Sequence, residues 1–556
     1  MTVKRAALAG ALLIVVCVGV VVALSGGSDS QNAAPARSAD GRSGGALRMG
    51  TTNGLPNLNP FVTVSINGLA LLRQMYPYLV QYDLKQKIAP DFAGSWKASQ
   101  GGKTWTFRTT PKARWSDGRP LTARDAAWTI DLIKKYAKTA AANLAGSLSH
   151  VQRVRATDER TLVVTYDRPR PDSTVLGGLT RVPILPRHIW SAYAGDDGKA
   201  LQTVPAKVMA VGGGPFTLTE FKEAQVALLK RNDNYYGPKP AIDGFGLQIF
   251  SAPEVELNAL RSGEIDWIQS VPPQAMSTLS SNKSLAVGQA RSYNQCVVSF
   301  NGNAAHTELR QPRVREAIAN GIDVQDLIKV VMNGAAIPAP SIVPAASPEW
   351  RDPAVQATPF DVAAGNRILD ALGYKKGGGG IRTANGHPMS YRIVYSAINP
   401  LQQAAVKLMA TSVRRLGIQL IPAPATGVGF SAALKEDDGK GFDSVMDCWT
   451  SGVDPEFIMS FSRCDAIKTF TETNYCNKEF DELFDAQSEE VDPARRRDDI
   501  FKMQEILARD RPWQWLFSPN VAEAWSKRWT GFTIGPAGTL NSLTSQALLN
   551  VRRVDE

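Results

Sequence analysis

Residues 103–108 alternate strictly between polar and apolar side chains, which is typical of a strand with one buried face. Residues 442–449 predict a second strand of the same period, which ends in Trp449. Residues 450–455 follow as Thr-Ser-Gly-Val-Asp-Pro and favour a turn. Because open α/β sheets bind ligands at the carboxyl ends of their strands, this stretch predicts one wall of a ligand cleft. The alternative is a core strand with a structural tryptophan.

Helical spacing of apolar residues indicates helices over residues 313–323, 362–372 and 400–416. Strand patterns over 391–395 and 417–421 enclose the last of these helices, and this order implies a parallel crossover. With 556 residues the chain is too long for one hydrophobic core. The sequence therefore predicts a large α/β protein of two lobes, each built from segments that are distant in the chain.

The N-terminus predicts export. Lys4 and Arg5 precede residues 6–24, which carry no charge. Three alternatives remain open: a cleaved signal, an uncleaved anchor, or a lipid anchor on Cys17. We assign residues 1–25 to the signal or anchor and residues 26–45, rich in small polar residues, to a disordered tether. All three alternatives place the rest of the chain outside the cytoplasmic membrane, attached to it or near it, at the cell surface or in a periplasm.

An exported chain is allowed disulfides, and four cysteines remain after Cys17. Four cysteines permit three pairings, and the sequence does not choose rigorously among them. A bond between Cys464 and Cys476 would close a short loop, and we predict this pair. Cys296 and Cys448 lie in strand-like runs and would bridge neighbouring strands. Four free buried thiols are the alternative.

Charge and motifs exclude several classes of function. The net charge is +10 and the pI about 9.3, but the basic residues are dispersed, so no nucleic-acid partner is expected. The sequence lacks the motifs of metallopeptidases, serine hydrolases and P-loop proteins. Its four histidines do not stand at helical metal-ligand spacing. We expect no enzyme, no metal and no cofactor.

Five blocks in order along residues 46–550 resemble the extracytoplasmic solute-binding proteins that feed dipeptide and oligopeptide ABC transporters (bacterial family 5 solute-binding proteins). They are Thr104-Trp-Thr-Phe107 through Trp115-Ser-Asp-Gly118-x-Pro-Leu-Thr-Ala123-x-Asp125; Gly212-Gly-Gly-Pro-Phe216 with Asn234-Tyr-Tyr-Gly237; Phe300-Asn301 with Arg313-Val-Arg-Glu-Ala-Ile318; Leu369-x-x-Leu372-Gly-Tyr374 with Leu416-Gly-Ile418; and Phe442-Asp443 through Trp449 to Asp454-Pro455.

The resemblance implies a two-lobed clamshell of the periplasmic-binding-protein type, with mixed sheets and an additional subdomain on lobe one. The implied limits are 46–90, 205–290 and 525–550 for lobe one, 91–204 for the extra subdomain and 291–524 for lobe two.

It also implies a ligand held between the lobes, largely by backbone groups, like an added strand. One matching segment is residues 63–67 and the other is residues 448–451. The candidate ligand-binding residues are Ser65, Ile66, Asn67, Asp447, Cys448, Trp449, Thr450, Ser451, Gly452 and Asp454.

The chain departs from the peptide-binding members at one position. They place an Asp about three residues after the Trp to pair with the peptide's α-amino group, and here that position is Gly452. Asp454 or Asp447 would have to substitute, or the anchor is absent. A sugar ligand would instead stack on Trp449, with Tyr76 or Trp513 as further platforms.

From this resemblance we predict a monomeric binding protein. It captures a small solute, a peptide or peptide-like molecule, and delivers it to an ABC permease in the membrane. Two alternatives remain: a binding protein for a non-peptide solute such as an oligosaccharide, and a surface receptor or scaffold that no longer transports.

Overall fold

The structure is a computed structural model that describes residues 44–467, 472–540 and 544–554. The signal or anchor expected over residues 1–25, with Cys17, lies outside these residues, as does the expected tether up to residue 43. Within the described ranges, no helix has both the length and the apolar character that a membrane crossing requires.

Strands dominate the framework of the described residues. They are β1 Ala46–Thr51, β2 Val80–Tyr82, β3 Ile88–Pro90, β4 Ala93–Ser99, β5 Thr104–Thr109, β6 Val151–Ala156, β7 Thr161–Tyr166, β8 Phe216–Lys222, β9 Val226–Arg231, β10 Gly244–Ile249, β11 Trp267–Ile268, β12 Leu285–Arg291, β13 Asn294–Phe300, β14 Ala336–Pro338, β15 Thr383–Ala384, β16 His387–Pro388, β17 Ser390–Ser396, β18 Gln419–Ala425, β19 Ser444–Thr450, β20 Trp513–Ser526, β21 Trp529–Thr530 and β22 Arg552–Arg553.

The α-helices begin where polar caps or prolines allow it. Thr122 caps α2, and the Asp125 carboxylate accepts a hydrogen bond from the Thr122 amide at 2.9 Å, which completes a capping box. The helices are α1 Ile66–Met75, α2 Ala123–Lys135, α3 Ala142–Ala145, α4 Asp172–Leu179, α5 Arg187–Trp190, α6 Ala206–Met209, α7 Pro253–Ser262, α8 Met276–Ser280, α9 Pro312–Asn320, α10 Val324–Val331, α11 Val362–Ala371, α12 Pro400–Val413, α13 Gly427–Lys435, α14 Glu456–Met459, α15 Lys478–Glu489 and α16 Pro493–Asp510.

One mixed sheet of 12 strands runs through the protein, in the order β18-β17-β19-β13-β20-β11-β1-β10-β9-β8, with β12 and β14 also paired to β20. We call the part around β1 and β8–β12 lobe one, and the part around β13, β14 and β17–β19 lobe two. The two-lobed α/β fold expected from the sequence is confirmed. The residue limits of the lobes stay predictions.

Strand β20 belongs to both lobes. Its first half pairs with β13, from Ser299↔Trp513 to Cys296↔Phe517. Its second half pairs with β12, from Arg291↔Asn520 to Leu285↔Ser526. The aromatic residues at the start of β20 therefore belong to a strand that begins in lobe two and continues into lobe one.

A separate sheet, in the order β4-β5-β7-β6, forms with α2–α5 what we call the small-sheet subdomain. Its buried Trp105 and Trp115 belong to the same hydrophobic cluster as Leu47 and Met49 on β1. Because this core is continuous with that of lobe one, the subdomain is packed onto lobe one as part of one body.

Lobe two contains the crossover that the sequence predicted. Strands β17 and β18 pair in parallel from Ser390↔Gln419 to Ser396↔Ala425, and α12 connects them. The proposed stacking platforms Tyr76 and Trp513 are both buried in cores, at 0% and 5% exposure. Burial removes both ring faces from solvent, so they offer no platform to a ligand.

Both expected disulfides are present. Cys296 on β13 bonds to Cys448 on β19, directly across the strand pair, and spans 152 positions of sequence. Cys464 bonds to Cys476 across 12 positions. The two bonds therefore close loops of very different length.

Replacing each disulfide by a pair of serines should lower the free energy of unfolding by unequal amounts. Chain entropy gives about 5 kcal/mol for the Cys296–Cys448 loop and about 3 kcal/mol for the Cys464–Cys476 loop, because the longer loop restricts the unfolded chain more. Denaturant unfolding of the two double-serine variants measures the difference. Equal losses would show that loop entropy does not govern these bonds.

Candidate functional site

The junction between the lobes is the place where the chain passes from one to the other. It does so twice, between β12 and β13 and in the middle of β20. The Ser518 hydroxyl donates to the Asn294 carbonyl at 2.7 Å, and the Ser292 hydroxyl donates to the Pro519 carbonyl. These buried serines hold the two crossing segments together at the point where the lobes would bend.

Trp449 lies at the carboxyl end of β19, beside this junction. Its ring is partly buried, and its centroid lies 4.9 Å from that of Phe461. Its indole Nε1 is buried and has no hydrogen-bond partner in the described part of the chain. The apolar packing fixes the ring in lobe two, while part of the ring remains accessible.

Two predicted neighbours of Trp449 have structural roles. Cys448 is oxidised in the bond to Cys296. The amide and the hydroxyl of Ser451 both donate to the Tyr293 carbonyl at 3.1 Å, so the loop after β19 is tied to the crossing segment. Thr450 is exposed.

Asp447 is a half-buried carboxylate without a cationic partner among the described residues. It accepts hydrogen bonds from Gln402 Nε2 at 3.0 Å and from the Cys448 amide at 2.7 Å. Burial raises its pKa despite these bonds. Burial also raises the pKa of Glu472 to about 7, and the nearby charge of Asp447 adds to that effect. Two acidic groups thus lie close together in lobe two.

Asp454 is already paired. Its two carboxylate oxygens accept from Arg496 at 2.6 and 2.9 Å, and one of them also accepts from the Glu456 amide at 2.9 Å. Burial works to raise its pKa, but the Arg496 guanidinium holds the pKa of this carboxyl below its usual value. The carboxylate is therefore occupied within lobe two.

Glu456 joins lobe two to the small-sheet subdomain. Its carboxylate accepts from Arg170 at 2.9 Å and from the Thr174 hydroxyl at 2.6 Å, and Arg496 lies 3.5 Å away. Arg496 in turn donates to the Ser173 hydroxyl at 2.6 Å. We call Arg170, Ser173, Thr174, Glu456 and Arg496 the latch, because it crosses between two parts of the fold.

On lobe one, the side chains of two predicted ligand residues form hydrogen bonds with backbone groups. Ser65 caps α1 by accepting from the Gly68 amide at 3.2 Å. Asn67 is buried and donates to the Asn53 carbonyl at 2.8 Å. Ile66 differs, because its side chain is 55% exposed and neighbouring Val64 is 75% exposed.

Sequence reasoning missed the latch. Arg170 and Glu456 are separated by 286 positions, and neither belongs to a motif. The one signal near the site was the Asp454-Pro455 turn, which places Glu456 at the start of α14.

The family model of the bacterial extracellular solute-binding proteins, family 5 Middle, matches residues 87–468 of this chain. Protein XP55 of Streptomyces lividans is 27% identical over 476 residues, 84% of this chain and 83% of that protein. A putative ABC transporter peptide-binding protein of Brucella ovis is 28% identical over 438 residues, 77% of each. The oligopeptide-binding protein AppA of Bacillus subtilis, solved with a nonapeptide, has a TM-score of 0.75 at 18% identity, over 92% of this chain and 100% of that chain.

Glu456→Gln should loosen the latch. Loss of a largely buried, charge-assisted contact costs about 1.5–3 kcal/mol, so amides of α4 should exchange with deuterium about 10-fold faster or more. Glu489→Gln is the matched control, since it removes the exposed Arg168–Glu489 pair between the same two parts of the fold. A surface pair contributes at most about 1 kcal/mol. Equal exchange in both variants would contradict a role for the latch.

Proposed function

Because the chain belongs to family 5 of the bacterial extracellular solute-binding proteins, we propose that it captures a peptide or peptide-like solute between its lobes and delivers it to an ABC permease. The observation that carries the proposal is the match of the family model, whose span includes segments of both lobes and the whole small-sheet subdomain. The peptide-binding names of the Brucella ovis and Bacillus subtilis proteins support the choice of solute.

The geometry of residues 63–67 supports a ligand held by backbone groups. Ser65 has extended dihedral angles, φ −71° and ψ 142°. Within the described chain, the amides of Val64, Ser65 and Ile66 donate no backbone hydrogen bond. Free amides on an extended segment are what a peptide uses when it binds as an added strand. The exposed side chains of Val64 and Ile66 would contact apolar groups of the solute.

The acidic groups of lobe two support an ammonium anchor at Asp447. Asp454 is engaged by Arg496, so it is the poorer candidate for a solute amine. Asp447 has no cationic partner among the described residues, and Glu472 adds a second acidic group nearby. A buried ammonium needs such a partner. Thr450 and Gly452, beside Trp449, would complete the wall.

We propose that the protein acts outside the cytoplasmic membrane, attached to it or close to it, and as a monomer. Its proposed mechanism is a shift of population: solute favours the closed arrangement because only that arrangement contacts it from both lobes. The role requires binding and release without chemistry on the solute.

Native mass spectrometry of the exported full-length protein tests the proposal, with the bound species released and fragmented. A mixture of co-purified peptides is the expected result. A single bound species that is not a peptide would show that the solute belongs to another chemical class. A protein that carries nothing and gains no mass when a peptide mixture is added would favour the receptor or scaffold role.

Trp449→Ala should weaken the affinity for the eluted peptides by about 10-fold or more, as for an aromatic group at the centre of an interface. Trp128→Ala is the matched control, because Trp128 is equally half-buried but lies on α2 in the small-sheet subdomain. Calorimetric titration measures both variants. Unchanged affinity in a folded Trp449→Ala protein would remove Trp449 from the site.

A further inference from the structure

The sheet of the small-sheet subdomain has one covered face and one exposed face. On the covered face, Trp105, Phe107 and Val164 belong to a hydrophobic cluster that also contains Ile130 and Ile133 of α2. Side chains alternate between the two faces of a strand, so the residues between these belong to the opposite face. That face is open to solvent along its two outer strands, β4 and β6, where residues 95, 97, 99, 153 and 155 are exposed.

Three cross-strand rows define the exposed face, which we call the outer face. Two rows cross all four strands and end in an arginine on β6, and a third, shorter row adds another arginine. The rows are Lys97↔Thr106↔Val163↔Arg155, Ser99↔Thr104↔Thr165↔Arg153 and Ser95↔Arg108↔Thr161. They hold basic and hydroxyl side chains, a single apolar residue and no acidic residue.

Three of the four basic residues of the outer face have no acidic partner. Arg108 lies 4.0 Å from Asp158, in the turn after β6. Among the described residues, Lys97, Arg153 and Arg155 have no carboxylate within ion-pair distance. Neighbouring strands are about 4.8 Å apart, so β4 with Lys97 and β6 with Arg155 are separated by about 14 Å. The positive charges are therefore spread across the width of the sheet.

The subdomain also holds most of the excess positive charge of the protein. Residues 91–204, the limits implied for the subdomain, contain 18 basic and 10 acidic residues, a net charge of +8. The whole chain has 62 basic and 52 acidic residues, a net charge of +10, so the remainder carries only +2. The asymmetry does not show as a run of basic residues in the sequence. An uneven distribution of this kind indicates a partner of opposite charge for the positive part.

We propose that the outer face binds the surface of a lipid bilayer that contains anionic phospholipids. Charge complementarity selects an anionic partner, and the spread of the charges over about 14 Å selects an extended surface over a single small anion. Because the face carries one apolar side chain, Val163, it lies on the headgroups without insertion into the hydrocarbon. The proposal rests on the proposed location beside the cytoplasmic membrane and does not depend on the solute.

The connection of the subdomain to the start of the chain favours lipid over a dissolved polyanion. The described chain begins at residue 44, directly before β1 of lobe one, and the subdomain shares its hydrophobic core with β1. The proposed attachment of the protein to the membrane would hold this body near the bilayer. It would thereby raise the effective concentration of lipid headgroups at the outer face.

Cosedimentation of the exported protein with vesicles tests the outer face. The vesicles contain phosphatidylcholine alone, or an equal mixture of phosphatidylcholine and phosphatidylglycerol. Wild type should bind the anionic vesicles more tightly than the neutral ones, and added salt should weaken this preference. The triple variant Lys97→Gln, Arg153→Gln, Arg155→Gln should bind the anionic vesicles about 100-fold more weakly, since each basic residue near an anionic surface contributes about 5-fold.

The triple variant Arg124→Gln, Lys135→Gln, Lys138→Gln is the matched control. All three residues are exposed, and they lie on α2 or just after it, behind the covered face of the sheet. The control removes the same charge from the same subdomain but should lose far less affinity, because charges more than about 10 Å from the lipid are largely screened. Equal losses in the two variants, or no preference for anionic vesicles in wild type, would overturn the proposal.

A titration with polyphosphate in solution distinguishes a lipid surface from a dissolved polyanion. If wild type binds polyphosphate through the outer face but does not prefer anionic vesicles, the partner is a dissolved polyanion and the membrane proposal fails. The vesicle assay contains no peptide. Its failure would therefore leave the proposed capture of solute untouched, and a failure of peptide binding would leave the outer face untouched.

Discussion

The passage of β20 through both lobes constrains the rest of the structure. This strand pairs with β13 in its first half and with β12 in its second, so one continuous strand joins the sheet of each lobe. The only other crossing between the two groups of strands, among the described residues, is the segment that joins β12 to β13. Relative motion is thereby limited to bending about two adjacent segments, which Ser292 and Ser518 hold together.

The charged groups at the junction divide into two kinds. Glu456 and Arg496 of the latch are saturated, because Glu456 accepts from Arg170 and Thr174 of the subdomain, and Arg496 is paired with Asp454. Arg73, in lobe one, has buried N–H groups without a hydrogen-bond partner in the described chain. Asp447, in lobe two, accepts two hydrogen bonds but has no cationic partner among the described residues. The saturated groups stabilise one arrangement of the lobes in the absence of solute. Arg73 and Asp447 therefore each lack an oppositely charged partner within ion-pair distance in the described chain.

The sequence predicted what depends on neighbours along the chain. The strand at β19 and the parallel β17–β18 pair follow from local periodicity. Both disulfides followed from the strand context and the short spacing of the cysteines. The sequence did not predict that Arg496 pairs with Asp454. The choice among sixty-two basic residues depends on how distant segments pack. For the same reason the sequence did not decide between a core and a cleft position for Tyr76 and Trp513, because an aromatic residue in a strand or helix gives the same pattern in both places.

The bond between Cys296 and Cys448 has a consequence for the order of events in the cell. It ties β13, next to the crossing segment, to β19, which carries Trp449. Thiols stay reduced in the cytoplasm and oxidise outside it. In the proposed export, a newly made chain lacks the loop closed by this bond and is easier to keep unfolded while it crosses the membrane. The bond between β13 and β19 then forms only after that passage.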